Sequence, residues 1–230
     1  GSTYNAYLIR DQSPTLVDTV KAPFASALLD TVANLLGGQA LRYVVCNHAE
    51  PDHSGGLPEV LRRHPQAELI CNARCREALT RIYATDQWRF RVVSDGESLA
   101  LGRRSLTFMD TPMVHWPESM FSYLPAERLL FSMDAFGQHL ASSGRFDDEN
   151  DLAIVMAEAR TYYANILMLY GQPIGRALER AGSLALDLVC PSHGVIWRKH
   201  FPAILQAYRN WIVCKPAAKT LVIYDTMWGS

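Results

Sequence analysis

Apolar positions along this chain fall into short blocks whose period switches between two and about 3.6, and the switching predicts the order of elements. Residues 4–9 (Tyr-Asn-Ala-Tyr-Leu-Ile) and 15–19 (Thr-Leu-Val-Asp-Thr) predict two strands joined by a polar turn containing Asp11, Ser13 and Pro14, a hairpin. Pro23 then opens a helix with Phe24, Leu28, Val32, Leu35 and Leu36 on one face, and Gly37-Gly38 ends it. Strand 41–46, short helix 57–63, strand 67–71, helix 73–83 and strand 90–94 continue the alternation.

From about residue 95 the pattern changes. Residues 97–111 and 120–133 read as short strands split by turns at Leu101-Gly102-Arg103 and Pro125-Ala126-Glu127-Arg128, the signature of antiparallel hairpins. Helical periodicity covers 151–169 and 174–181, strand 185–190 follows, and helix 201–213 turns Phe201, Ile204, Leu205, Tyr208, Trp211 and Ile212 inward. Residues 1–214 thus form one domain, 215–219 (Lys-Pro-Ala-Ala-Lys) a linker, and 220–224 (Thr-Leu-Val-Ile-Tyr) a fresh buried-type strand. The strand feeds Asp225-Thr226-Met227-Trp228-Gly229-Ser230, a loop of hydroxyls and Gly of the kind that begins a phosphate cradle. No helix follows to donate its N-terminus, so this piece by itself is not expected to bind a phosphate.

Composition narrows the class. The 230 residues are 49% apolar and carry a formal charge of −1, enough for a sizeable core and without the basic excess of a nucleic-acid or anionic-membrane binder. No apolar run approaches the ~18 residues of a membrane span and no signal-like segment opens the chain. The five cysteines (Cys46, Cys71, Cys75, Cys190, Cys214) are odd in number and sit mostly in or beside apolar runs, which fits a reducing cytoplasm and a structural role for the thiols.

The stretch with chemistry is Asn47-His48-Ala49-Glu50-Pro51-Asp52-His53-Ser54-Gly55-Gly56, two imidazoles and two carboxylates within six residues at the end of the apolar strand 41–46. Loops held by a rigid sheet are where chains place function, and this density of metal-ligand side chains exceeds what a solvated turn needs. The plainer alternative is a surface turn before a helix, with Asp52 or Ser54 as its N-cap. Other strand ends carry matching residues: His115, Asp134, and His193 in Pro191-Ser192-His193-Gly194. Four imidazoles and three carboxylates divide into two sets of two His and one carboxylate, with one carboxylate left to bridge. Two His and a carboxylate with open positions suit non-haem iron, and three carboxylates with a hydroxide neutralise two ferrous ions.

His48-x-Glu50-x-Asp52-His53, His115, Asp134 and His193, in this order and spacing, resemble the diiron centre of the flavodiiron proteins. The resemblance extends through Thr3-Tyr4-Asn5-Ala6-Tyr7-Leu8, His115-Trp116-Pro117-Glu118-Ser119-Met120, Asp134-Ala135-Phe136-Gly137-Gln138-His139, Tyr162-Tyr163-Ala164-Asn165-Ile166-Leu167 and Tyr224-Asp225-Thr226-Met227-Trp228-Gly229-Ser230. It implies an α/β fold of αββα metallo-β-lactamase type. One iron would take His48, Glu50 and His115, the second Asp52, His53 and His193, and Asp134 would bridge them. It implies reduction of dioxygen or nitric oxide, FMN held in a following flavodoxin-like domain whose phosphate loop would include Thr226 and Ser230, rubredoxin or a similar electron donor, and a head-to-tail homodimer. General hydrolases of this fold carry His where Glu50 stands, which weighs against the alternative of a dinuclear zinc hydrolase.

The resemblance has departures. The chain begins inside the expected first sheet, and Met133 stands where Asn is more usual. His139 is a candidate to hydrogen-bond an oxygen ligand or merely a loop carbonyl. Of Tyr162 and Tyr163, adjacent on a helix, one is expected to face the core and is a candidate to aim its hydroxyl at the iron pocket. His64 and His200, near helix ends beside Arg63 and Lys199, are expected to be solvated.

Overall fold

The computed structural model describes residues 3–215 together with 218 and 220. The first strands, β1 (Tyr7–Ile9) and β2 (Thr15–Val17), form the expected antiparallel hairpin with Leu8 opposite Leu16. After a single 3-10 turn, Ala22–Phe24, helix α1 runs Ala25–Leu36 and stops at Gly37, whose φ of 57° is the left-handed closure that Gly adopts without a steric penalty. The helix buries Ala25, Leu29, Val32 and Leu36, whereas Phe24 and Leu35 are exposed. The expected face was thus out of phase by one position at its start: stepping back from Val32 by three and seven lands on Leu29 and Ala25, and the small Ala was overlooked beside Phe24 and Leu28.

Strand β3 (Tyr43–Val45) leads into α2 (Pro51–Ser54) and α3 (Leu57–Arg63), then β4 (Glu68–Cys71), α4 (Ala73–Ile82) and β5 (Arg89–Val92). The β2, β3, β4 and β5 strands pair in parallel in that order, giving a five-stranded sheet with β1 at one edge. Asn72 caps α4 by accepting from Cys75 N at 2.8 Å, a bond worth about 1 kcal/mol. The second sheet follows as β6 (Ser98–Ala100), β7 (Ser105–Asp110), β8 (Met120–Leu124) and β9 (Leu129–Met133), consecutive antiparallel neighbours.

The expected helix over 151–169 is interrupted. Helix α5 spans Leu152–Tyr162, a π turn takes Tyr163–Leu167, a 3-10 turn takes Met168–Tyr170, and α6 runs Gly171–Gly182. Asn165 Nδ2 donates to the Thr161 carbonyl at 2.8 Å, the local side-chain bond by which Asn competes with the helical ladder. Strand β10 (Leu188–Pro191) pairs in parallel with β9 at the edge of the second sheet, and α7 (Phe201–Trp211) closes the described fold.

Side-chain alternation fixes the layers. Tyr43 and Val45 of β3 join Ile9, Val17, Ile70, Leu106, Phe108, Met120 and Phe131 in a core between the two sheets, while Val44 joins Leu16, Leu69, Leu29, Val32, Leu57, Val60 and Leu79 beneath α1, α3 and α4. A third core packs Phe121, Tyr123, Leu130 and Val189 against Val155, Ala159, Ile174, Leu178, Ile204 and Tyr208 of α5, α6 and α7. The order is therefore helices, sheet, sheet, helices, the expected αββα sandwich. The β7, β9 and β10 strands end on the same side of their sheet, since β7 and β9 are both antiparallel to β8 and β10 is parallel to β9, and Met120 N at the start of β8 donates to the Asn47 carbonyl, which brings the loop after β3 to that end. No helix among the described residues is long and apolar enough to cross a membrane.

Candidate metal centre

The loop after β3 is locked before it presents any ligand. Asn47 donates N–H and Nδ2–H to the two oxygens of buried Asp18, at 2.8 and 3.0 Å, and accepts from Ser122 Oγ at 2.6 Å. Further on, the His53 carbonyl accepts from Thr19 N and Oγ1, and Ser54 Oγ donates to the Ala49 carbonyl at 2.7 Å. These bonds fix both ends of the loop, so His48, Glu50, Asp52 and His53 start from a held backbone. The surface-turn alternative fails on the same observation, because His48, His53 and Ser54 are buried and neither Asp52 nor Ser54 caps α2; Glu50 holds that position without a side-chain bond.

The seven expected residues converge. His48, Glu50, His115 and Asp134 form one group with ligand atoms within 4.8 Å of one another, and Asp52, His53 and His193 form a second. Asp134 stands between them with its oxygens divided: Oδ2 lies 3.4 Å from His48 Nε2 and 3.6 Å from His115 Nε2, while Oδ1 lies 3.2 Å from both His53 Nε2 and His193 Nε2. Glu50 Oε2 sits 3.2 Å from His48 Nε2 and 3.1 Å from His115 Nε2. His115 follows a cis Val114–His115 peptide in the loop after β7. The floor of the site, His48, His53, Asp134 and His193, is buried, whereas Glu50, Asp52 and His115 keep partial exposure and border the opening.

Two features show that this cluster suits cations. Buried polar atoms are almost always hydrogen-bonded, yet Asp52 Oδ1, His53 Nε2 and Asp134 Oδ2 are buried with no hydrogen-bond partner among the described residues. The imidazoles are also oriented from behind: His48 Nδ1–H donates to Glu118 Oε1 at 2.8 Å and His193 Nδ1–H to the Thr3 carbonyl at 2.6 Å, which leaves each Nε2 lone pair facing inward. Without a cation the nitrogens hold protons instead. Burial opposes charging His48, but the Glu118 and Glu50 carboxylates outweigh it and raise its pKa to about 10. His193, likewise opposed by burial, is raised to about 10 by Asp134 and Asp52, while His115 and His48 draw Glu50 down to about 2. Burial alone would raise the Asp134 pKa, but His53 and His193 reverse it and hold Asp134 ionised well below the usual carboxylate range. Cations that displace these protons inherit a ready set of anionic oxygens and neutral nitrogens.

The remaining candidates divide. Tyr162 Oη donates to Asp134 Oδ1 at 2.7 Å and so touches the carboxylate shared by the two groups. Tyr163 faces the other way, packed on Tyr208 and Trp211, and its hydroxyl has no partner; the π turn that starts at Tyr163 separates the two directions. His139 is exposed and sets its ring edge-on to Tyr162 and His193, near the opening. His200 differs from the expected solvated role, since its Nδ1 lies 3.0 Å from the Asp147 carboxylate. Thr226 and Ser230 lie outside the described residues, as does the strand expected over 220–224 apart from residue 220.

Residue-type reasoning missed the supports. Glu118 is one; it lies three positions after His115, and its partner His48 is 70 residues away. Asn5 is another: its Nδ2 donates to the Pro191 and Gly194 carbonyls at 2.9 Å each and its N–H to the Ser192 carbonyl at 2.7 Å, tying the N-terminal segment to the His193 loop. Met133, with φ of 39°, occupies the left-handed region where Asn is tolerated better than Met. All five thiols are free; Cys46, Cys71, Cys75 and Cys190 are buried, in keeping with a structural role, and Cys214 is exposed.

A sandwich of this order with ligand groups gathered at one end of both sheets defines a β-lactamase-type domain built to hold two cations. The chain belongs to the family described as ODP family beta lactamase, whose model matches residues 3–194. Its fold is that of the flavodiiron proteins: the structure of the flavodiiron protein from Giardia intestinalis superposes with a TM-score of 0.90 at 38% identity, covering 92% of this chain and 52% of that one. Rubredoxin oxygen:oxidoreductase from Desulfovibrio gigas matches with a TM-score of 0.90 at 37% identity, over 94% of this chain and 55% of that one. In sequence, a nitric oxide reductase of Moorella thermoacetica is 44% identical over 100% of this chain and 58% of its own length. An anaerobic nitric oxide reductase flavorubredoxin of Escherichia coli is 36% identical over 99% and 48%. The chain therefore spans about half the length of the relatives it matches.

Proposed function

We propose that this domain carries a non-haem diiron centre and is the oxygen- or nitric-oxide-reducing part of a flavodiiron-type oxidoreductase. The observation that carries the reading is the division of Asp134, one oxygen toward each group of two imidazoles and a carboxylate. His48, Glu50 and His115 would hold one iron, Asp52, His53 and His193 the other, with Asp134 between. Glu50 supplies oxygen where a zinc hydrolase of this fold would offer nitrogen, and the harder donor set favours iron. A diferrous pair held by these residues would supply two electrons, the number needed to couple two nitric oxide molecules to nitrous oxide and half the number needed to take dioxygen to water.

The protein's own residues shape that chemistry. His48, His53, His193 and Asp134 form a buried floor, and the partly exposed Glu50, Asp52 and His115 border its open side, which suits a small neutral gas. Further electrons would come through FMN in a flavodoxin-like domain, fed by rubredoxin or a similar carrier, in a head-to-tail homodimer in the cytoplasm. The relatives' names, flavorubredoxin and rubredoxin oxygen:oxidoreductase, support the donor and the gases.

Elemental analysis of protein made in iron-replete medium tests the reading. The expected result is about two iron atoms per chain, with Glu50→His shifting the content toward zinc. Zinc alone in the unaltered protein would replace the reductase with the dinuclear zinc hydrolase, whose nucleophile is a metal-bound hydroxide.

A further inference from the structure

The two ligand groups have matching first contacts but unequal supports. Behind His48 stands Glu118, a carboxylate only 3% exposed, whose Oε1 accepts from His48 Nδ1 at 2.8 Å and from Ala49 N at 3.1 Å. Behind His193 stands a neutral amide carbonyl, that of Thr3. The shared carboxylate is unequal as well. Tyr162 donates to Asp134 Oδ1, the oxygen facing His53 and His193, while Oδ2, facing His48 and His115, receives no hydrogen bond. Asp18 is also buried nearby, but its two oxygens are taken by Asn47 rather than by a ligand ring.

A carboxylate behind an imidazole makes the ring a stronger donor, and a hydroxyl that donates to a carboxylate oxygen makes that oxygen a weaker one. Both effects act in the same direction. From this we infer that Glu118 and Tyr162 are positioning residues that make the His48, Glu50, His115 side the more electron-rich of the two, so that the first electron to leave a diferrous centre leaves from that side. The inference rests on the diiron reading above. Removing one electron with an outer-sphere oxidant such as ferricyanide gives one ferric and one ferrous ion, and the gap between the first and second oxidation sets how much of that half-oxidised form accumulates.

Potentiometric titration of the iron-loaded protein, with the mixed-valence signal followed by electron paramagnetic resonance, reads the gap directly. Glu118→Gln keeps an oxygen that can accept from His48 Nδ1 and Ala49 N but removes the charge; it should raise the potential of the first oxidation and reduce the mixed-valence signal. Tyr162→Phe should lower the potential of the second oxidation and also reduce the signal. The two together should reduce it further. A role confined to structure would move neither potential in the isosteric variants. Unchanged potentials in both variants would overturn the inference, as would Glu118→Gln shifting mainly the second oxidation. Loss of one iron from Glu118→Gln would overturn it too, by showing that the charge holds the site together instead of tuning it. Iron content of the unaltered protein tests the diiron reading separately, so the failure of one is distinguishable from the failure of the other.

Discussion

The ligands come from two kinds of sequence. His48, Glu50, Asp52 and His53 occupy one six-residue run on a backbone clamped by Asp18, Thr19 and Ser122, whereas His115, Asp134 and His193 stand on three separate loops after β7, β9 and β10. The run presents ligands to both groups from one locked turn. The separated ligands depend on the packing of two sheets and on single residues that hold each loop. The difference teaches that the first set shares one loop, held as a unit by clamps from residues 29 to 75 positions away, whereas each ligand of the second set depends on its own loop, so substitutions in the second set test the architecture most sharply.

Asp134→Ala should have the largest effect. Asp134 is the only carboxylate of the three that lies within 4 Å of imidazole nitrogens of both groups, and its removal leaves His48, His53 and His193 packed together without the anion between them. Metal content should fall from about two per chain to one or none, with loss of any exchange-coupled spectrum. Retention of both irons and of the coupling would show that the run 48–53 suffices to assemble the centre, contrary to the comparison.

Gly194→Ala comes next and sharpens it. Gly194 has φ of 80°, and a Cβ there would fall 1.5 Å from Gln138 Oε1, which itself accepts from Val195 N at 2.6 Å. Backbone strain and displacement of Gln138 together should cost about 3 kcal/mol or more, measured by chemical denaturation, and should weaken metal binding at the His193 side first. A stable variant with unchanged metal content would mean that the loop carries less constraint than its geometry implies.

Much of this was legible in the sequence, for physical reasons that differ by region. Strands β3 and β4 announced themselves because burial on both faces demands a continuous apolar run, and the short helix expected over 57–63 coincides with α3. All seven convergent residues stood at strand ends, where a period-two block gives way to polar residues. The α5–α6 break was not legible, since a π turn leaves the apolar pattern nearly intact and only changes its phase. Nor were Asn5 and Glu118, whose partners lie 186 and 70 residues away and leave no local periodicity. The expected inner face of α1 shifts because small Ala25 is buried where the larger Phe24 is exposed, so side-chain size is a poor guide to the face there.

A smaller effect separates the loop over 145–150 from the run. Asp147 is fully buried, and its oxygens accept from Arg198 N at 2.9 Å, Lys199 N at 3.2 Å and His200 N at 2.5 Å, with His200 Nδ1 at 3.0 Å. Burial would raise its pKa, but these donors prevail and hold it below the ordinary aspartate value. A depressed carboxylate contributes stability above its unfolded pKa and loses it as pH falls through the folded value. Asp147→Asn should therefore cost about 1–3 kcal/mol near pH 7, and the difference from the unaltered protein should shrink as pH falls below the ordinary aspartate range and through the lowered folded value, both proteins being compared metal-free. A difference that stayed constant with pH would assign the loss to packing.

The smallest effect is expected one residue away from a consequential one. Tyr162 and Tyr163 are both buried, at 4% and 3% exposure, and simple helix periodicity does not say which of the two matters. Tyr162 ends α5 with its hydroxyl on Asp134, while Tyr163 begins the π turn with its ring on Tyr208 and Trp211 and its hydroxyl unpaired. A buried hydroxyl with no partner costs about 1–3 kcal/mol in desolvation, so deleting it while keeping the ring removes a cost and few contacts. Tyr163→Phe should then leave stability unchanged or raise it by about 1 kcal/mol, with metal content and redox behaviour unaltered. Thermal denaturation checks the first part and metal analysis the second. Destabilisation of Tyr163→Phe by as much as a lost buried hydrogen bond would mean that this hydroxyl has a partner in solution, and the π turn would then orient two hydroxyls rather than one.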